Sequence, residues 1–292
     1  MNNEIIKILK ERNIHPISYK RIKGVYVINN KYVIKLNTNN YDIYRYLISK
    51  DFLYFPKNLN NLNDNYDMSL YVDNIEVNDN ELINDYVKII SILHSKTSYK
   101  REIDLDEIKE KYENLNNKIL SLKNYYQELN NKIDHEIFFS PSEYLLIRNI
   151  SLIYSILDNS VVLLDKLYKR IKNEKSFRVS LLHNNVSLKH LITGDNKYLI
   201  SWDKSYFDSP IYEIELIYRK YYKIIDLNNL IEIYELNNRL TMEERGLLLV
   251  NLSIPNRIEL TNSTYSDTKI INKEINYLKK VYELLIKYEN EL

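Results

Sequence analysis

The sequence predicts an α+β fold in which a small antiparallel β lobe precedes a larger, mainly helical lobe. Two observations carry this prediction. Before about residue 77, short β-branched and aromatic runs alternate with polar turns, whereas from Glu81 onward apolar residues recur every three or four positions. A change of composition near Asn78 separates the two patterns without a Gly/Ser linker. The predicted lobes are therefore residues 1–77 and 78–292.

The small lobe is predicted to start with a helix over residues 3–12, because the apolar residues there have helical spacing. Gly24 and the Asn29-Asn30 pair then punctuate three runs that are typical of an antiparallel meander. One helix and a second pair of strands follow. In chain order, the elements after the first helix are strands at 18–22, 25–28 and 32–36, a helix at 41–50, and strands near 66–70 and 71–75.

The large lobe is predicted to contain a long helical hairpin. A first apolar stripe ends at His94. Heptad-like seams then cover residues 105–133 and 147–171, and the capping box Ser140-Pro141-Ser142-Glu143 opens the second of them. The two seams predict an antiparallel hairpin inserted at about 104–172; alternatively, each seam faces the domain core separately.

The chain beyond the hairpin is predicted to carry the candidate chemistry in a polar loop. A short apolar run at 179–182 leads into this loop, residues 183–189. A strand pair is predicted over 190–192 and 198–202, and amphipathic helices occupy the chain from Pro210 onward.

The composition limits the classes of partner and site. With 41 basic and 40 acidic residues, the chain lacks the overall charge that draws proteins to nucleic acid or anionic membranes. It has no cysteine, which excludes disulfides, thiolate nucleophiles and zinc-thiolate sites. No stretch approaches the roughly 20 apolar residues of a membrane span, and the first residues lack a signal-peptide core. We therefore expect a cytoplasmic protein without a nucleic-acid or membrane partner.

Three segments in and around the polar loop carry polar and charged residues in a specific order. Residues 183–190 are HNNVSLKH, residues 198–203 are YLISWD and residues 208–213 are DSPIYE. These segments resemble motifs of the aminoglycoside phosphotransferase family, whose patterns are roughly H-G-D-x-x-x-x-N, a strand pair that ends I-D-W or I-D-F, and D-P-x-x-D.

The resemblance extends across most of the chain. YVIK at 32–35 looks like the strand whose lysine holds the α- and β-phosphates of a nucleotide, and IISILH at 89–94 is similar to the family's L-x-x-L-H helix ending. The insertion that ends in SPSEY at 140–144 looks most like the spore-coat branch of the family. The resemblance implies a protein-kinase-like, two-lobed fold.

Carried over position by position, the family's catalytic residues are changed in this chain. The catalytic Asp falls on Asn185, the catalytic-loop Asn on His190 and the metal-binding Asp on Ser201. Asn185 is neutral and cannot act as a base, His190 is a poor ligand for a hard cation, and Ser201 offers one uncharged oxygen. The resemblance therefore implies that any phosphoryl transfer is slower by several powers of ten.

The remaining candidate residues keep open alternatives. Lys35 either holds nucleotide phosphates, as its family position implies, or is a strand lysine that extends its ammonium into water. His183 is interpreted as ordering the loop through hydrogen bonds. Asn185 either binds a substrate hydroxyl or braces the loop. Asp203 either replaces the missing metal ligand or caps a loop.

The resemblance leaves the partner of the lysine open and assigns two loop braces. The helix glutamate that pairs the lysine in the family has no clear match, and Asn40 and Asp42 are the nearest candidates. Asp208 and Glu213 match the D-P-x-x-D region, with Ser209 inserted before the proline, and are interpreted as braces of the catalytic loop.

These expectations together favour a pseudokinase that binds a partner protein and, through the family's cleft, ATP. The resemblance to the spore-coat branch implies a setting in spore-coat assembly. The alternative is an active small-molecule phosphotransferase whose Mg²⁺ site is rearranged around Asp203, with Glu213 as a second candidate ligand. A third hypothesis is a purely structural protein with a closed cleft.

Overall fold

The computed structural model describes residues 2–22, 24–38, 40–61, 64–261 and 263–288. The chain forms two compact units that interleave along the sequence. The first consists of Met1–Tyr99, Val179–Glu213 and Lys223–Arg239, and the second of Lys100–Arg178, Ile214–Tyr222 and Leu240–Leu292. The lobes expected at 1–77 and 78–292 were defined by the change from strand-like to helical sequence patterns, whereas these units are defined by compactness. The predicted lobe boundary stays a prediction.

A four-stranded antiparallel sheet opens the first unit, as the meander predicts. Its strands are β1 (Tyr19–Ile22), β2 (Val25–Ile28), β3 (Tyr32–Leu36) and β4 (Tyr66–Leu70), in the order β1-β2-β3-β4, with helices α1 (Asn3–Glu11) and α2 (Tyr41–Ser49) beside them in the chain. The register sets Lys35 of β3 opposite Val25 on one side and Asp67 on the other. Helix α1 packs on this sheet, because Ile5 and its neighbours share a buried core with Met68.

The strand predicted at 71–75 is wrong. The chain there is irregular: the N–H of Tyr71 donates to the carbonyl of Lys31 at 2.8 Å, and that of Ile75 donates to the carbonyl of Thr193 at 2.6 Å. The strand fails because both edges of β4 are already paired. One edge meets β3, and the other is met by residues 57–59, where the N–H of Leu59 donates to the carbonyl of Met68 at 2.8 Å.

The rest of the first unit holds helices, a β-hairpin and a short sheet. These elements are α3 (Asp79–Thr97), β5 (Tyr99–Glu102), β6 (Ser176–Leu182), β7 (Leu191–Thr193), β8 (Lys197–Leu199), β9 (Tyr206–Asp208), α7 (Ile211–Tyr221) and α8 (Leu227–Glu235); β5, β6 and α7 run across a unit boundary. The β7–β8 pair confirms the predicted hairpin. Its second strand stops at Leu199 rather than at Trp202, because Ser201 has a left-handed φ of 68° and Trp202–Lys204 form a 3₁₀ turn. Strands β5 and β9 were not predicted from the sequence.

The second unit contains the helical hairpin. Its helices are α4 (Leu105–Asp134), α5 (Pro141–Arg148), α6 (Ile150–Ile171), α9 (Met242–Ser253) and α10 (Thr264–Tyr288). Helices α4 and α6 pack antiparallel: the ring of Tyr112 stacks on that of Tyr168 at 4.3 Å, and the hydroxyl of Tyr154 donates to the carbonyl of Tyr126 at 3.3 Å. Helix α6 also packs against α9 and α10. The two seams therefore face each other, while α6 faces the core as well.

The apolar second seam is interrupted between α5 and α6. Among the described residues, no single helix combines the length and the apolar character needed to cross a membrane; α5 and α6 meet that test only together, as a pair bent by 44°.

Candidate functional site

The polar loop after β6 is anchored by one buried carboxylate. Glu213, in the first turn of α7, is fully buried. Its two oxygens accept hydrogen bonds from the backbone N–H groups of His183 at 2.9 Å and Asn184 at 2.8 Å. Asn184 has a left-handed φ of 52°, a conformation that asparagine tolerates better than most residues. The start of the loop is therefore fixed in a sharp turn by a charged acceptor.

His94, at the end of α3, completes this anchor. Its Nε2 donates to Glu213 at 3.0 Å, and its Nδ1 lies 2.9 Å from the hydroxyl of Tyr234 on α8. The amide of Asn238 donates to the same hydroxyl at 2.7 Å. Burial alone would raise the pKa of Glu213, but the hydrogen bonds from His94 and from the His183 N–H hold it below its ordinary value. A buried charge of this kind persists because hydrogen-bond donors surround it, here the His94 ring and the N–H groups of His183 and Asn184.

His183 lies inside the protein at the base of the loop. Its Nε2 donates to the carbonyl of Ile200 at 2.9 Å, and its ring meets that of Trp202 edge-on at 4.8 Å. Burial lowers the pKa of His183 below its ordinary value, so the ring is neutral at neutral pH. This is the geometry that a loop-ordering role requires.

Asn185, His190 and Ser201, the three positions that the resemblance aligns with catalytic residues, are linked by hydrogen bonds along the loop. The side-chain amide of Asn185 donates to the carbonyl of Ser201 at 3.1 Å. The Nδ1 of His190 donates to the carbonyl of Asn185 at 2.8 Å. An aspartate at 185 could not make the first of these bonds, since a carboxylate has no hydrogen to donate. The side chains of Asn185 and His190 thus tie the loop down.

Lys35 and Asp203 form an ion pair at the same site. The ammonium of Lys35 on β3 lies 3.1 Å from Oδ1 of Asp203, and the two side chains are 37% and 39% exposed. Partial burial alone would raise the pKa of Asp203, but the ammonium of Lys35 outweighs it and holds the pKa below its ordinary value. The lysine predicted to bind phosphates and the first of the two carboxylates predicted to bind a metal ion are therefore paired with each other.

Lys35 pairs with Asp203 and not with Asn40 or Asp42, the two partners that the resemblance offered as candidates. Asn40 instead donates its amide to Oδ2 of Asp67 at 2.6 Å, across from Lys35 on β4. Tyr44 of α2, which no sequence pattern singled out, is partly buried nearby. Burial, together with the charges of Asp67 and Asp203, raises the pKa of Tyr44. Asp67 lies opposite Lys35 because of the register of β3 and β4, and Asp203 reaches Lys35 from a distant segment. No local sequence signal predicts either arrangement.

The donor atoms do not fit a magnesium ion bound to a nucleotide. Mg²⁺ takes carboxylate oxygens together with water and phosphate oxygens in octahedral geometry. Asn185, His190 and Ser201 supply no carboxylate, and Asp203 is engaged by Lys35. Glu213 is buried against backbone N–H groups. Within the described ranges, no group of three or more His, Cys, Asp or Glu side chains is arranged to hold a metal ion.

Comparison with solved structures identifies the fold. The structure is similar to an aminoglycoside phosphotransferase from Alicyclobacillus acidocaldarius, with a TM-score of 0.69 at 10% identity over 94% of this chain and 92% of that one. It is also similar to spectinomycin phosphotransferase in complex with ADP and spectinomycin, with a TM-score of 0.51 at 14% identity over 97% of this chain and 98% of that one. The AMP-bound form of that protein gives a TM-score of 0.50 at 14% identity, over 96% and 97% of the two chains.

The fold is therefore protein-kinase-like. More particularly, it is the α+β fold of the aminoglycoside phosphotransferases, as the sequence resemblance implied. Because the identities are so low, the likeness shows the fold alone.

Comparison of sequences adds little to this. The chain matches no known family model. It is 33% identical over 107 residues to probable polyketide synthase 17 of Dictyostelium discoideum, a match that covers 36% of this chain and 4% of that protein. The shared stretch is too small a part of either chain to assign a family.

Proposed function

We propose that this protein is a pseudokinase: a protein with a kinase-like fold that binds a partner protein, and holds ATP without transferring its phosphate. The observation that supports this most directly is the pairing of Lys35 with Asp203 beside a loop whose catalytic positions hold Asn185, His190 and Ser201. Phosphoryl transfer needs a carboxylate to orient the attacking hydroxyl and oxygen ligands to hold Mg²⁺. Asn185 instead uses its side-chain amide to brace the loop.

The anchor beneath the loop supports retention of a binding role. Glu213, His94 and His183 keep a fully buried hydrogen-bonded arrangement although the residues above them have changed. Such an arrangement preserves the shape of a cleft without supplying its chemistry. The comparison structures include complexes with ADP and with AMP, which makes a nucleotide the ligand to test first.

The first experiment is a thermal-shift titration with ATP, with and without Mg²⁺, alongside an assay of ATP turnover. We expect a shift that does not depend on Mg²⁺ and no turnover above background. The Lys35→Met variant should lose the shift, whereas Lys20→Met, on the exposed strand β1, should keep it. Absence of any thermal shift would contradict ATP binding and favour the hypothesis of a structural protein with a closed cleft.

An active phosphotransferase is the second candidate, and one observation favours it. Asp203 is 39% exposed and sits beside Lys35, which is the neighbourhood of the phosphates in the family's arrangement. If this candidate is correct, the thermal shift requires Mg²⁺, and Asp203→Ala abolishes turnover while nucleotide binding survives. That result would overturn the pseudokinase proposal.

We also propose that the protein acts in the cytoplasm and in spore-coat assembly, as the resemblance of its hairpin insertion to the spore-coat branch suggests. A fluorescent fusion followed through sporulation tests this setting. Fluorescence that collects at the forespore surface supports it, and fluorescence that stays diffuse throughout opposes it.

A further inference from the structure

The loop that joins α4 to α5 presents large apolar side chains to solvent. Ile137 is 89% exposed and Phe138 is 88% exposed, while Phe139 and Tyr144 beside them are about half exposed. Single exposed apolar residues are ordinary on protein surfaces, but several in one short segment are typical of a binding surface. The loop is short, because α4 ends at Asp134 and α5 begins at Pro141.

A negatively charged concavity adjoins this loop. It has a volume of about 580 Å³, and its charged lining is Glu128, Glu136, Glu143 and Glu259 with Lys132. Glu259 is also paired with Arg257 at 3.3 Å. Four carboxylates against two cations leave an excess of two negative charges. Glu136 directly precedes Ile137, and Glu143 directly precedes Tyr144, so the apolar loop and the acidic concavity are continuous.

The walls of the concavity are held by internal bonds. The hydroxyl of Tyr125 donates to the carbonyl of Ile258 at 2.7 Å, and that of Tyr126 donates to the carbonyl of Asn256 at 2.6 Å. On the other side, the carboxylate of Glu143 accepts from the N–H of Ser140 at 2.7 Å in the capping box. A surface that is already ordered loses little conformational entropy when a ligand binds.

We propose that residues 136–144 and this concavity, together the tip surface, bind a basic peptide segment of the partner protein that carries an aliphatic or aromatic anchor. Lysine or arginine side chains complement the carboxylates, and the anchor covers Ile137 and Phe138. The same carboxylates repel anionic lipid and nucleic acid. This inference rests on the proposed partner-binding function and specifies where the partner binds and what chemistry it offers.

The test is selection of peptides from a random displayed library on the intact protein. The selected peptides should be enriched in Lys or Arg next to Phe, Trp or Leu. Their affinity, measured by fluorescence anisotropy, should fall at least about tenfold in Phe138→Ser and in Glu136→Gln, and should fall as salt is added. Ile17→Ser and Glu232→Gln, exposed sites elsewhere, are the matched controls and should leave the affinity unchanged.

Several results would overturn the inference. Selected peptides without basic residues, or an affinity that the two tip variants leave unchanged, would contradict it. Self-association that Phe138→Ser abolishes would assign the surface to a second copy of the chain, and sedimentation with phosphatidylcholine vesicles would assign it to a membrane.

The outcome is separable from that of the pseudokinase proposal. Mg²⁺-dependent ATP turnover would sink the pseudokinase while leaving peptide binding at the tip surface intact. If no ATP turnover is detected and the tip variants bind peptides as tightly as the wild type, only the tip-surface proposal is contradicted.

Discussion

The Glu213 anchor and the Lys35–Asp203 pair belong to the same compact unit but differ in their physical setting. Glu213 is fully buried and its acceptors are filled by His94 and by two backbone N–H groups. Lys35 and Asp203 are more than a third exposed, and each has water as an alternative partner. Removing a partner from a buried, filled arrangement is costly, whereas an exposed ion pair contributes little.

The difference indicates which part of the site is under structural constraint. The anchor holds the loop and cannot change without cost to the fold. Asn185 and Ser201 are only partly buried. A kinase-like fold that loses its catalytic groups is therefore expected to lose them at such partly buried positions and to keep the fully buried anchor.

The largest effect is expected for Glu213→Gln. The amide nitrogen of glutamine would face a donor, and His94 would lose its charged acceptor, so we expect the free energy of unfolding to fall by about 2–4 kcal/mol. Urea denaturation measures this. The matched control is Glu232→Gln on the exposed face of α8, which should change stability by less than about 0.5 kcal/mol. Equal effects at the two sites would break the comparison.

The free energy of unfolding should fall in two stages as the pH is lowered, the first caused by His183 and the second by Glu213. The pKa of His183 is below 6.5 in the folded state, so the unfolded chain takes up a proton first and stability falls as the pH drops below 6.5. The pKa of Glu213 is below 4.5, so its contribution is present above pH 4.5 and is lost as the pH falls further.

Each stage should have a slope of at most about 1.4 kcal/mol per pH unit. Urea midpoints measured from about pH 7.5 to 4 test this. His183→Gln should flatten the first stage, whereas the exposed His135→Gln should not. A wild-type profile that is flat between pH 6.5 and 4.5 would contradict the assignment to His183.

A smaller effect is expected for Asn185→Asp. The change restores the carboxylate that the family carries, but it sets that carboxylate against the carbonyl of Ser201 in place of an amide donor. We expect a loss of about 1–2 kcal/mol of stability and no ATP turnover, since the metal ligands are still missing. Asn124→Asp on the exposed face of α4 is the control. Turnover that returns with this single change would argue against the pseudokinase.

The smallest effect is expected for the exposed pair. A double-mutant cycle of Lys35→Met and Asp203→Asn should give a coupling energy below about 1 kcal/mol. Thermal or urea denaturation of the four proteins supplies the cycle. A coupling as large as the loss in Glu213→Gln would remove the distinction between the two regions.

Local patterns predicted most of the elements. The period-two runs predicted β1 to β4, the capping box predicted the start of α5, and the seams predicted that α4 and α6 pack antiparallel. The strand at 71–75 was wrong because an apolar, β-branched run does not reveal that the neighbouring strand already has both edges paired.

Some parts of the site could be selected from sequence and others could not. Six residues were selected through a resemblance in motif: Lys35, His183, Asn185, His190, Ser201 and Asp203. The structure places them on strand β3, in the loop after β6 and in the turn after β8. Their partners were not predictable. His94 lies 119 residues from Glu213, and Asp203 lies 168 residues from Lys35.

The sequence by itself determined the fold class, the helices and most strands, and, through the family resemblance, which residues to select as the candidate site. Hydrophobic period and residue identity are local properties, so they can be read from the chain alone. Only the tertiary structure decided that Asp203 pairs with Lys35, that Glu213 is a buried anchor, and that the hairpin loop adjoins an acidic concavity. Burial and long-range pairing set those interactions, because both depend on how segments distant in sequence pack together.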